Sequence, residues 1–400
     1  MTRRTLLFFH ASAELYGSDR TLLQLAEGLD RGAWRVVVAL PREGPLSRAL
    51  RAAGATVEIG PLCTFGRATL RPRGFVRAAR ELPAAVRFAR ALVRRHRPAV
   101  VHTNTIVVLS GALAARAEHV PHVWHVHEIL ERPAWIARAL ARFVARRSTH
   151  VVANSAATAA ALRARARFAP GALSVIANGV GSSAAPCDAA ARARALARLD
   201  LDPARRWVLL AGRINAWKGH ALLLDACKRI AARRPELGLL FAGDAPPGQP
   251  AFELALERDI AASGLGERVR RFPFVEDVVA LYAAATVVAV PSTLPEPFGL
   301  VAAEAMAAGR AVVAAAHGGL AEIVEHDATG ILVAPRDAEA LAHALERLLG
   351  DPALADRMGR AGRARQREHF SVERYVRDFD VLYRAVAART PKEALQEARP

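Results

Sequence analysis

The sequence predicts an α/β chain made of two doubly wound domains. Short apolar, β-branched runs alternate with Ala/Arg-rich amphipathic stretches along the chain. Such alternation gives parallel sheets with helices on both faces. The 400 residues exceed what one core usually holds. A stretch rich in Ala, Ser and Pro, residues 179–203, separates two sets of strands.

In order, the first set of strands is expected at residues 6–10, 34–40, 56–59, 99–102, 122–126, 150–153 and 173–176. Helices fall between them, for example at 21–29 and 106–117. A helix at 189–199 lies within the break. The second set is expected at 207–211, 237–242, 269–272, 287–290, 311–314 and 330–333. A last helix, 371–388, can pack back on either domain. The expected division is 1–185, 186–370, and a helix and frayed tail over 371–400. No internal repeat stands out.

Hydrophobic residues make up 52% of the chain. No apolar run reaches the roughly 18–20 residues of a membrane span. Residues 1–10 carry two arginines and a short apolar run, too short for a signal peptide. They read as the first buried strand of a cytoplasmic protein. Cys63, Cys187 and Cys227 lack metal or disulfide spacing. They read as reduced thiols. The net charge of +18 favours acidic partners. No RNA- or DNA-binding motif accompanies it. Residues 67–97 hold ten arginines and one acid, Glu81, interleaved with Phe75, Val76, Leu82, Val86, Phe88, Leu92 and Val93. This pattern suits a helix lying on an anionic membrane. It also suits an ordinary solvated helix face.

The most informative segment is Glu296-Pro297-Phe298-Gly299-Leu300 with Glu304 two helical turns beyond Glu296. A valine-rich strand precedes it, and Pro291 stops that strand. The amides of Gly299 and Leu300 then open a helix and point at a loop where an anion can bind. Arg213 and Lys218 follow another strand, as phosphate recognition needs. In doubly wound folds, ligands sit at the carboxyl ends of strands. In the first half, Gly17 and Ser18 precede a helix, and the G-x-G-x-x-G fingerprint is absent. Residues 102–105 follow a strand and are expected to line the acceptor pocket. His122, His125 and His127 occupy one strand, with His125 expected to point opposite to His127. For His127 a buried structural role is the alternative to a functional one. A zinc site lacks cysteine or carboxylate partners at metal spacing.

Together these segments resemble glycosyltransferase family 4 (glycosyl transferases group 1), over roughly residues 6–383. The residues that carry the resemblance are Gly212-Arg213 with Lys218-Gly219, Gly243-Asp244, Pro291-Ser292, Glu296 through Gly309, Gly318-Gly319 with Glu322-Ile323-Val324, and Thr329-Gly330. The resemblance implies the GT-B fold, two Rossmann-like domains facing across a cleft. The N-terminal domain would bind acceptor and the C-terminal domain the nucleotide-sugar donor. It implies a retaining transferase moving a sugar from a nucleoside diphosphate-sugar to an acceptor in cell-surface polysaccharide or glycolipid synthesis. The catalytic residues would be His127, near the anomeric centre, with Arg213 and Lys218, on the diphosphate. Donor binding would use Gly17 of the N-terminal loop, Glu296 on sugar hydroxyls, the stretch Phe298, Gly299 and Leu300 through its amides, and Glu304 on the ribose. The glutamates are expected to face Arg213 and Lys218 across the cleft. Neither a metal nor a cofactor is expected. The partners expected are the donor and a sugar or lipid-linked acceptor, without nucleic acid, at the inner face of the cell membrane or in the cytoplasm. A sucrose- or trehalose-type synthase, a phosphorylase and a non-catalytic binding protein are the alternatives.

Overall fold

The computed structural model describes residues 3–65, 69, 72–181, 188–246, 248–273, 275 and 278–388. Arg67, Arg71, Cys187, Phe274 and the tail from Arg389 lie outside the described residues. The chain forms two Rossmann-like α/β units, Met1–Gly179 with Val372–Pro400, and Val180–Ser371.

The first unit holds a seven-stranded parallel sheet in the order β3-β2-β1-β4-β5-β6-β7. Its strands are β1 (Arg4–Phe9), β2 (Trp34–Leu40), β3 (Thr56–Ile59), β4 (Val100–Asn104), β5 (His122–Val126), β6 (His150–Ala153) and β7 (Leu173–Val175). Helix α1 (Gly17–Gly28) joins β1 to β2, α2 (Pro45–Ala52) joins β2 to β3, and α3 (Pro72–His96) joins β3 to β4. Helices α4 (Ser110–Ala117), α5 (Ala134–Arg147) and α6 (Ala156–Arg163) follow β4, β5 and β6. The central strands are buried along almost their whole length, and in β4 and β5 that burial takes in histidine, threonine and asparagine as well as apolar side chains.

The second unit holds six parallel strands in the order β10-β9-β8-β11-β12-β13. After α7 (Ala189–Arg198) they are β8 (Arg206–Ala211), β9 (Leu237–Ala242), β10 (Val269–Phe272), β11 (Ala285–Val290), β12 (Ala311–Ala315) and β13 (Gly330–Val333). The connecting helices are α8 (His220–Ile230), α9 (Ala251–Ser263), α10 (Val279–Ala284), α11 (Leu300–Ala307) and α12 (Leu320–Ile323), followed by α13 (Ala338–Gly350) and α14 (Pro352–His369). In both units strand order reverses beside the first strand of the set, between β1 and β4 and between β8 and β11. Such switch points open a crevice at the strand carboxyl ends.

The last helix, α15 (Val372–Ala388), belongs to the first unit. It buries Tyr375, Phe379 and Tyr383. Asp380 Oδ1 accepts from Trp34 Nε1 at 2.6 Å, and the Tyr383 hydroxyl meets His102 Nδ1 at 2.8 Å. The arginine-rich helix α3 divides into two parts. Ala85, Ala89, Leu92 and Val93 enter the core, whereas Phe75 is 64% exposed and Val76 48%. Arg73, Arg77 and Arg80 are exposed around them.

Candidate active site

In the second unit the loops after β8 and β11 meet because those strands are neighbours. Asn215 Oδ1 accepts from the amides of Trp217 (3.1 Å) and Lys218 (3.0 Å), an Asx turn that shapes the first loop. Thr293 N then donates to Trp217 O at 2.7 Å, tying the second loop to it. Lys218 Nζ donates to Glu296 Oε1 at 2.6 Å, and Ser292 Oγ donates to the same oxygen at 2.6 Å. Glu296 is only 5% exposed. The ammonium also lies 4.6 Å from the Trp217 ring centroid. An ammonium has three donors, so Glu296 leaves two for a ligand.

Two glycines make this approach possible. Gly219 has φ +83°, and a Cβ there would come within 2.2 Å of Pro291 O. Gly318 has φ +58°, and a Cβ there would lie 2.3 Å from Glu296 O. Either side chain would push the loops apart. His317, beside Gly318, meets Ser292 O through Nε2 at 2.8 Å. Gly319 N donates to Glu296 O at 2.8 Å. Gly299 caps α11 and Leu300 opens it. Phe298 packs its ring edge-on against Phe370, so its backbone is the part it can offer a ligand. Glu304 lies on α11, where Tyr282 donates its hydroxyl to Oε2 at 2.7 Å. Arg310, buried, holds Tyr282 in turn by donating to the carbonyls of Tyr282 and Ala283 at 2.9 and 2.8 Å. Arg213 stands two residues beyond β8. His220, the first residue of α8, is buried, and burial together with Lys218 and Arg271 pulls it down to about 4.

The switch point of the first unit has another chemistry. His10, after β1, meets Asp19 Oδ1 through Nε2 at 2.6 Å, both fully buried. Asp19 Oδ2 accepts from Tyr16 N at 2.9 Å and Ser12 Oγ at 3.2 Å, which fixes the loop that ends at Gly17, the first residue of α1. Asn104, at the end of β4, lies between two histidines: Nδ2 is 3.1 Å from His10 Nδ1, and Oδ1 is 2.9 Å from His127 Nε2. Burial, then His10, pulls His127 down to about 3, with Asp19 opposing. Glu128 accepts from Thr105 Oγ1 and from the amides of His127 (3.0 Å) and Ile106 (3.2 Å). Burial nonetheless pushes its carboxyl above the usual range.

Two expectations need correction. His125 does not point away from His127: their rings lie 3.9 Å apart. Positions i and i+2 along a strand share a face, so the alternation argument leads to the opposite answer. Nor do Lys218 and Glu296 face each other from separate domains. Both belong to the second unit and form a direct ion pair.

The structure brings Lys218 and Glu296 into contact and sets Phe298, Gly299, Leu300 and Glu304 on the same loop and helix. His127 and Gly17 lie at the switch point of the other unit. Sequence reasoning singled out Ser292 and residues 102–105 without the partners of Ser292 and Asn104, and it gave no role to Asn215 or Tyr282. Asn215, three residues before Lys218, carries a readable turn signal. Tyr282 carries none, because it reaches Glu304 from a different helix.

Residues 16–183 match the family model described as Glycosyltransferase Family 4, and residues 192–365 the model described as Glycosyl transferases group 1. The chain is 31% identical to the α-maltose-1-phosphate synthase of Mycobacterium tuberculosis, over 72% of this chain and 79% of that one. It is 40% identical to the D-inositol 3-phosphate glycosyltransferase of Nocardioides, where the match spans 49% of this chain and 45% of that protein, less than half the relative's length. Among solved structures, Anabaena HepE in complex with UDP and glucose superposes with a TM-score of 0.81 at 26% identity, over 96% of this chain and all of that one. Sucrose-phosphate synthase from Thermosynechococcus elongatus does so at 0.79 and 27%, over 97% of this chain and all of that one. The chain therefore belongs to the GT-B glycosyltransferases of family 4.

Proposed function

We propose that the chain transfers a sugar, with retention of anomeric configuration, from a nucleoside diphosphate-sugar to an acceptor hydroxyl. The observation that carries this reading is the Lys218–Glu296–Ser292 cluster at the β8/β11 switch point, beside the amides that open α11. HepE's complexes with UDP and UDP-glucose support a nucleotide-sugar donor. In this reading Glu296 holds sugar hydroxyls, Glu304 the ribose, and Arg213, Lys218 and the amides from Phe298 to Leu300 the diphosphate. Gly17 closes its loop on the same diphosphate, and His127 works near the anomeric carbon.

The bond from the anomeric carbon to the β-phosphate oxygen breaks, and the acceptor oxygen bonds to that carbon on the same face. The acceptor proton passes to the departing phosphate. Negative charge grows on the β-phosphate, so fixed cations and amides there stabilise the transition state more than the ground state. These groups do the work a divalent metal would otherwise do, so turnover persists in EDTA. Burial holds His127 neutral at pH 7, which suits a hydrogen-bonding partner and not a cation.

A synthase acting on a sugar phosphate is the second reading. It is favoured by the likeness to α-maltose-1-phosphate synthase and sucrose-phosphate synthase. Product analysis separates the two. Thermal-shift screening of UDP-, GDP- and ADP-sugars identifies the base, since a ligand that binds the native state raises the transition. Glu304→Ala and Lys218→Ala should each abolish transfer; wild-type turnover in both would overturn the assignment. A polysaccharide or glycolipid product would place the work at the inner membrane face, and the exposed half of α3 suits an anionic surface. No helix among the described residues is long and apolar enough to cross a membrane. Salt-sensitive cosedimentation with anionic vesicles tests the contact, and loss of it in Arg73→Glu/Arg77→Glu would locate it.

A further inference from the structure

The chain of side chains behind His127 has a determinate proton arrangement. Asn104 Nδ2 lies 3.2 Å from Ser18 O, and a carbonyl only accepts. The amide nitrogen of Asn104 is therefore turned toward Ser18 and His10, and its oxygen toward His127. That oxygen also only accepts, so His127 Nε2, 2.9 Å away, must carry the proton. In a neutral imidazole this leaves Nδ1 as the lone-pair nitrogen. The same logic holds at the other end. Asp19 Oδ1 at 2.6 Å requires a proton on His10 Nε2, and His10 Nδ1 lies 3.1 Å from both Asn104 Nδ2 and the Asn104 carbonyl oxygen, so with or without a second proton it has a partner on Asn104. Asp19 is itself fixed by Tyr16 N and Ser12 Oγ. The adjacent His125, its ring tilted against that of His127, offers no competing hydrogen bond, because neither of its ring nitrogens has a partner among the described residues.

We propose that Asp19, His10 and Asn104 are positioning residues that hold His127 as its Nε2–H tautomer, so that Nδ1 meets the substrate as a hydrogen-bond acceptor for a sugar hydroxyl. The ring then receives a proton from the ligand side and cannot donate one there. The role toward substrate rests on the transferase reading above; the tautomer does not. The chain links the first turn of α1, the residue after β1, the end of β4 and the residue after β5. A shift of Asp19 with its loop is thereby felt at His127.

Selective 15N-histidine labelling of the full chain at pH 7 reads the tautomer directly. His127, assigned by its loss in His127→Gln, should show a protonated Nε2 and an unprotonated Nδ1. A protonated Nδ1 would overturn the proposal without any variant or activity measurement. In Asn104→Leu the two tautomers should mix. Turnover should fall at least ten-fold, while the Kd for UDP stays within two-fold of wild type. Asp19→Asn, which keeps size and shape, should give a smaller change in the same direction. An unchanged tautomer and unchanged turnover in both variants would sink the proposal. If the wild type transfers no sugar, the labelling result still decides whether the chain fixes the ring.

Discussion

The two units share one architecture and have opposite chemistry at corresponding places. Each has its polar cluster where strand order reverses, at the carboxyl ends of two neighbouring strands. In the second unit that place holds an ion pair and closely packed glycine backbone. In the first it holds His10, Asn104 and His127 in a chain of hydrogen bonds, beside the buried rings of His125 on β5 and His102 on β4, while His122 stands at the start of β5. Burial pulls His102 and His125 well below the usual histidine range, and His122 to about 3. Topology therefore decides where a site is, and loop residues decide what it does. In the proposed reading the ion pair meets phosphate and the neutral rings order hydroxyls.

The largest expected effect breaks the second cluster. In Lys218→Met, Glu296 and Ser292 stay buried without the cation. Stability of the second unit should fall by about 3 kcal/mol, as for a buried pair losing one partner. Turnover should fall by about a hundred-fold or more, as for a lost oxyanion donor. Urea unfolding and single-turnover transfer measure the two. Loss of turnover without loss of stability would mean that the pair serves only the ligand.

Acid acts on stability, through the first cluster. A buried neutral histidine binds its proton in the unfolded chain near pH 6.5 and in the native chain near pH 3. Between those values the unfolded state holds more protons, so stability rises with pH and is lost on acidification. Each such histidine contributes up to about 1.4 kcal/mol per pH unit. The first unit carries four, and the second, among the described residues, has only His220 with a comparable shift. Hydrogen-exchange protection of residues 122–126, corrected for intrinsic rate, should collapse between pH 7 and 5 before that of residues 207–211. His125→Phe should flatten that slope; equal slopes in both units would erase the contrast.

The smallest effect tests a single bond. Tyr282→Phe removes one donor from Glu304 and should weaken UDP binding by about ten-fold, near 1.4 kcal/mol, with kcat nearly unchanged. Calorimetry with UDP measures it. An unaltered Kd would place Glu304 away from the nucleotide.

Much of this was legible in the sequence because its signals are local. A buried parallel strand is a short apolar run, and most strands among the described residues are visible that way, though β3 and β10 are less buried and carry charged residues. The Glu296 to Glu304 segment and the Arg213 to Lys218 loop announce themselves by residue type at strand exits. The sequence could not say that Tyr282 reaches Glu304, because they stand on different helices, α10 and α11, 22 positions apart in the chain. Nor could it say that the outer half of α3 keeps Phe75 and Val76 exposed while the inner half packs in the core.

From the sequence alone came the α/β class, the two sets of strands and the residues at their ends, since periodicity and turn chemistry act over a few positions. Only the tertiary structure decided that Lys218 pairs with Glu296, that α15 returns to the first unit, and that Asn104 stands between His10 and His127. Those contacts depend on which strands become neighbours, and that follows from long-range pairing and packing, which no short window of residues contains.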